Sequence, residues 1–157
     1  MTFYNVCPAE IESGGPELAH QMCHRLNDAG LEAYMYYIKS NDINPQDVNA
    51  SDKYIKYNTF HAKQLSEIEQ DTSVVVFNEG ATGLIPLIKH CHKVLWWMSV
   101  DNYLINTDGR DIDVIRKEVV LHLVQSKYAY EYVRDVVGAD EKNIMSVSYT
   151  HLRAHET

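Results

Sequence analysis

Short apolar runs alternate along this chain with stripes of apolar residues at helical spacing. Residues 3–7 form the first run and read as a short strand. Beyond a polar turn, Leu18, Met22 and Leu26, flanked by Ala19 and Cys23, recur every three to four residues. That period predicts a helix over 16–29, started by Pro16 and stopped by Gly30. Residues 31–38, rich in tyrosine, read as the second strand, and 39–56 as a polar loop with little regular structure. A mixed stretch follows, helical over 61–68. The unbroken run Val74-Val-Val-Phe77, opened by Ser73, predicts a buried third strand. A short helix over 82–89 carries Pro86, which interrupts it. The fourth strand, 93–98, puts Trp96 and Trp97 on opposite faces as core residues. Residues 112–118 read as a helix, 119–124 as a fifth strand, 127–137 as a helix stopped by Gly138, and 143–146 as the start of a sixth strand. This alternation predicts an α/β, Rossmann-like three-layer domain with a mostly parallel sheet of about six strands.

Parallel sheets of this kind bind ligands beyond the C-terminal ends of their strands. The polar residues expected there are Gly14 and Gly15 after the first strand, Glu79 after the third, Ser99, Asp101 and Asn102 after the fourth, and Gln125 and Ser126 after the fifth. Gly14 and Gly15 let the backbone turn sharply and approach a ligand, and free N–H groups at the following helix start favour an anion such as a phosphate. The same pair also serves as a plain strand-to-helix connection. Glu12 and Glu17 flank the turn, and their charges oppose a diphosphate. Glu79 follows a fully apolar strand, which makes it a polar candidate; it would equally suit a helix start as a dipole-stabilised carboxylate. Asp101 is a candidate general base or an exposed loop acid. His20 and His24 stand four apart on the first helix with no third ligand in view, so they read as solvated histidines and no metal site is assigned.

The net charge of −8, with acids spread along the chain, disfavours nucleic acid and anionic lipid as main partners but leaves room for a nucleotide held locally. Three cysteines in no metal or redox spacing suggest a reducing compartment. No apolar stretch approaches the roughly 20 residues of a membrane span, and the N-terminus lacks the basic start and apolar run of a signal peptide. A cytoplasmic location follows, free or peripheral at the inner face of the membrane. A dinucleotide fingerprint, a receiver-type acid pair, a Walker loop and a hydrolase nucleophile elbow are all absent.

Four segments carry a family resemblance: Glu12-Ser-Gly-Gly-Pro-Glu-Leu-Ala-His-Gln21, Val74-Val-Val-Phe-Asn-Glu79, Trp96-Trp-Met-Ser-Val-Asp-Asn102 and His122-Leu-Val-Gln-Ser-Lys-Tyr-Ala129. Together they resemble the N-terminal domain of a bacterial glycosyltransferase of the GT-B fold, of the surface or capsular polysaccharide type. The resemblance covers residues 1–146. It implies an acceptor-side domain facing a second, C-terminal domain that holds most of the nucleotide-sugar donor, with a saccharide or lipid-linked acceptor and no cofactor. The His-Asp frequent after the fourth strand in retaining members stands here as Val100-Asp101. Residues 147–157 resemble the translation of a sequencing-library adapter and read as a non-native tail, so the domain is expected to be truncated and inactive by itself.

Overall fold

A computed structural model describes residues 1–147 except 10, 12, 40, 41, 46, 47 and 49. Glu12 and the tail from residue 148 on lie outside the described residues. The strands are β1 (Thr2–Pro8), β2 (Glu32–Ile38), β3 (Ser73–Asn78), β4 (His92–Trp97), β5 (Val119–Val124) and β6 (Ile144–Ser146). The helices are α1 (Gly14–Asp28), α2 (Leu65–Ile68), α3 (Val100–Thr107), α4 (Ile112–Glu118) and α5 (Lys127–Tyr132). The sheet has six strands in the order β2-β1-β3-β4-β5-β6 and is parallel throughout. The expected Rossmann-like α/β class is therefore met, with no antiparallel strand in the sheet.

The apolar runs become strands for the expected reason. Val75 and Phe77 are fully buried in β3, as are Leu95 and Trp97 in β4, and Trp96 on the opposite face is 1% exposed. Cys7, Ala19, Cys23, Ala33, Met35 and Tyr37 form one cluster in which the apolar stripe of α1 meets β1 and β2. Gly30 ends α1 at φ 86° and Gly138 ends the α5 region at φ 82°, both left-handed conformations that glycine adopts without strain. Past Tyr132 the α5 region continues as a π turn over Val133–Val137.

Several boundaries differ from the sequence reading. The expected helix over 61–68 shrinks to Leu65–Ile68. Residues 60–62 instead run beside β2: Met35 N–H donates to the Phe60 carbonyl (2.8 Å), and Ala62 N–H to the Met35 carbonyl (2.9 Å). An available strand edge outweighs the weak helical propensity of this stretch. Within the expected 39–56 loop, Asp52–Tyr57 forms a 3₁₀ turn with Tyr54 and Tyr57 buried. Pro86 reduces the 82–89 helix to a 3₁₀ turn over Thr82–Leu87. Helix α3 was not anticipated; Ser99 caps it, accepting from Asn102 N–H.

The described residues divide into two compact units, one within 1–76 and 87–92, the other within 77–86 and 93–147. In the first, Asn5 is 1% exposed in the middle of β1, and neither its carboxamide nitrogen nor its oxygen has a partner among the described residues. Such burial costs free energy that an apolar side chain of the same shape avoids. Asn5→Leu is expected to stabilise the chain by about 1–2 kcal/mol in urea unfolding; a lower midpoint would show that the amide is paired.

Candidate functional site

In the first unit, α1 begins at Gly14, two residues before the predicted start. Ser13 is its extended N-cap (φ −155°, ψ −178°), and Glu17 N–H closes the first turn on the Ser13 carbonyl (3.2 Å). Pro16 sits within that turn, where its missing N–H breaks no bond. The helix start thus leaves the N–H groups of Gly14 and Gly15 without intrahelical partners. Gly14 is exposed, and a Cβ built on it would meet no atom within 4 Å. Glu17 does not oppose an anion in the way its position suggested. Its carboxylate accepts from the Tyr57 hydroxyl and pairs with Lys56 (3.5 Å). Burial by itself would raise the Glu17 carboxyl, but the Tyr57 bond and the charges of Lys56 and Lys53 hold it below the usual range.

The two histidines of α1 part company here. His24 is half-buried and pairs with Asp28 (3.1 Å). His20 is not solvated: it is 1% exposed. Its Nδ1 lies 2.7 Å from the Pro16 carbonyl and its Nε2 2.7 Å from the Tyr37 hydroxyl. A carbonyl can only accept, so Nδ1 carries the proton and Tyr37 donates to Nε2. The Tyr54 ring stacks on the imidazole with centroids 4.4 Å apart and planes 13° apart. Burial pushes the imidazole below its ordinary value, keeping it neutral, while the Pro16 bond and Glu17 oppose that shift. Gln21, which lies off the apolar stripe of the helix, is 2% exposed and donates to the Tyr57 hydroxyl (3.1 Å). Helical periodicity located the sheet-facing stripe of α1. It had no means of showing that residues 52–57 would cover another side.

In the second unit, the residues following β3, β4 and β5 gather at one strand edge, as a parallel sheet requires. Glu79 is 7% exposed, and its Oε2 accepts from Met98 N–H (3.2 Å). Burial raises its carboxyl; the N–H groups of Glu79, Met98 and Ser99 partly offset the rise. Glu79 therefore braces the turn between β4 and α3 and does not serve the turn that follows it. Ser99 and Ser126 are both N-caps: Ser99 Oγ accepts from Asn102 N–H (3.1 Å), Ser126 Oγ from Ala129 N–H (3.0 Å). Asp101 and Asn102 are exposed in the first turn of α3. Tyr128 of α5 donates to Asp101 Oδ1 (3.3 Å), tying the two helix starts together. Gln125 is half-buried, and its Oε1 has no partner among the described residues. The edge thus presents one exposed carboxylate, one exposed amide and a glutamine oxygen with unused accepting capacity. Glu79 and the two serines are occupied by structural bonds.

A second polar cluster lies beneath this edge. His122, 2% exposed in β5, accepts at Nδ1 from the Trp97 indole N–H (3.0 Å). Tyr103 of α3 and Tyr132 of α5 meet the Trp97 ring edge-on at 5.0 and 5.8 Å. A histidine inside an apolar strand was the available signal, but only pairing with β4 shows its partner. Among the described residues no group of three or more His, Cys, Asp or Glu side chains could hold a metal, and no helix is long and apolar enough to cross a membrane.

Comparison with protein-family models, with curated proteins and with solved structures found no match to this chain.

Proposed function

We propose that this chain is the acceptor-side domain of a glycosyltransferase that moves a sugar from a nucleotide-sugar to a saccharide or lipid-linked acceptor in surface-polysaccharide synthesis. The reading rests on the four resembling segments. The observation that supports it best is the parallel strand edge at which Glu79, Ser99, Asp101, Asn102, Gln125 and Ser126 converge. On this reading Asp101 is the candidate general base: it is exposed and oriented by Tyr128, whereas Glu79 is buried and held by backbone N–H groups. Gly14 and Gly15 present N–H groups to the donor diphosphate, with Glu17 drawn aside by Tyr57 and Lys56. The protein works in the cytoplasm or at the inner face of the membrane. No cofactor enters the reaction.

A second reading is a non-catalytic Rossmann-type domain that binds a nucleotide or sugar. It is favoured by the structural employment of Glu79, Ser99 and Ser126, which leaves few polar groups for chemistry.

Transfer requires donors around both substrates in a closed, water-poor cleft, which one domain cannot supply. The purified chain is therefore expected to transfer no sugar above a no-protein control. The reading frame in the genome is expected to continue into a second Rossmann-like domain, and the two-domain product to transfer sugar from a nucleoside-diphosphate sugar. In that product Gly15→Val should weaken donor binding and turnover while leaving the fold intact. A frame that stops near Ser148 would replace the enzyme with the binding domain. Unchanged donor affinity in a well-folded Gly15→Val enzyme would reduce the turn to a connection.

A further inference from the structure

The segment Asp52–Tyr57 is held to α1 from one side only. Of its six side chains just Tyr54 and Tyr57, spaced at the 3₁₀ period, are buried, at 2% and 6% exposure. Asp52, Lys53, Ile55 and Lys56 are exposed, with Ile55 at 71%. The polar grip sits at the tips of the two tyrosines. Tyr54 Oη accepts from Ser13 N–H (3.1 Å) and lies 3.3 Å from the carbonyls of both Ile11 and Ser13. Tyr57 Oη meets Glu17 and Gln21, and Lys56 adds an ion pair to Glu17. Besides the bonds within its own 3₁₀ helix, Tyr54 N–H donates to the Ser51 carbonyl (3.1 Å), Lys53 N–H to Ser51 Oγ (3.3 Å) and Asn58 N–H to the Ile55 carbonyl (3.0 Å). Asn58 leaves it in the left-handed conformation (φ 50°).

Beneath the strap lies the His20–Tyr37 pair. It consists of a neutral imidazole with a fixed tautomer and a phenol that donates to it, which is the arrangement of an acid–base couple. Tyr54 is the lid on that ring, at 4.4 Å.

We propose that residues 51–58 form a gate that opens as a unit, without unfolding of the β1–β2 core, and that opening exposes the His20–Tyr37 pair as an acid–base site. A short single-turn segment that buries only two of its six side chains and leaves the other four exposed belongs to the low-stability end of a fold. The strands and α1 beneath it hold their own ladder and core. Glu17 is the latch, because it alone takes both the Tyr57 hydroxyl and the Lys56 charge. The gate rests on contacts within the first unit and stands independently of the glycosyltransferase reading.

Hydrogen exchange on the full chain, resolved by residue, tests the gate together with site-resolved acylation of histidines by diethyl pyrocarbonate. In the wild-type chain the Tyr54 and Asn58 amides are expected to exchange through an opening nearly independent of low denaturant, well ahead of the β1 and β2 amides. Glu17→Gln and Tyr54→Phe should each speed those two amides by about tenfold, the loss of roughly one hydrogen bond. His20 acylation should accelerate in parallel while β1 and β2 exchange stays constant. The gate is overturned if strap amides in the wild-type chain exchange only with global unfolding. It is equally overturned if strap exchange accelerates but His20 is acylated only at the global unfolding rate. The wild-type measurement decides the matter even if a variant fails to fold.

Discussion

Lowering the pH from 6.5 to 4 is expected to remove about 3 kcal/mol of folding stability through His122 alone. Burial pushes this imidazole down to about 4 from an ordinary 6.5. Geometry gives the same direction: Nδ1 accepts the Trp97 N–H at 3.0 Å, so a proton there would set two donors against each other. Between pH 4 and 6.5 the unfolded chain binds this proton and the folded chain does not. Stability is therefore complete above about 6.5 and is lost progressively as the pH falls, at about 1.4 kcal/mol per unit. His20, also depressed by burial, acts in the same direction. Glu79 acts in the opposite one: its raised carboxyl takes up a proton in the folded state and returns part of the stability in the lower part of the window. A variant comparison isolates His122. His122→Asn keeps an acceptor near the indole N–H but does not titrate, so its urea midpoint should fall less steeply between pH 7 and 4.5 than that of the wild-type chain. Parallel pH profiles for the two proteins would show that His122 does not titrate across this range. Trp97 fluorescence reads the transition at the site itself.

Glu118→Ala is expected to cost about 3 kcal/mol, although Glu118 lies at a helix end and is one-third exposed. The reason is its partner. Lys93, the second residue of β4, is 4% exposed, and its ammonium pairs with the Glu118 carboxylate from the end of α4. Removing the carboxylate strands a charge that water hardly reaches. The same argument makes the pair weak evidence of net stabilisation, since desolvating both ions offsets much of their attraction. The double variant Lys93→Met with Glu118→Leu should therefore regain most of the loss. If the single and double variants are equally destabilised in urea, packing at the α4–β5 junction matters and the stranded charge does not. This junction is already irregular: pairing of β4 with β5 slips between Lys93 and Val94, leaving Val120 as the extra residue of a bulge at 53% exposure.

The two candidate regions answer to different constraints. At the glycine turn, Glu17, whose charge was expected to oppose a diphosphate, proves to be employed elsewhere, facing the strap through Tyr57 and Lys56, while Glu12 lies outside the described residues. At the strand edge, the residues that looked most available prove to be committed. Glu79 holds the β4–α3 turn and the two serines cap helices, so a mutational search for chemistry there begins with Asp101, Asn102 and Gln125.

The sequence by itself determined the succession of the six strands, and with it the parallel sheet, though not helix α3. The information is local: an unbroken apolar run such as 74–77, with three valines, has few alternatives to a buried strand, and Gly30 and Gly138 stop helices through their own backbone freedom. The placing of Glu79, Ser99 and Gln125 at one edge follows from that succession, because every strand of a parallel sheet ends on the same side. Tertiary structure decided what those residues touch. Glu79 meets Met98, 19 positions on, and Tyr57 meets Glu17, 40 positions back. No local pattern encodes either pairing, since each depends on chain closure over a loop whose cost and reward lie outside any helical or strand period. His20 shows the difference most plainly. Its place on the helix was legible from spacing, but its burial came from a segment more than 30 residues away that folded back over the helix and turned an apparently solvated imidazole into a neutral, doubly bonded one.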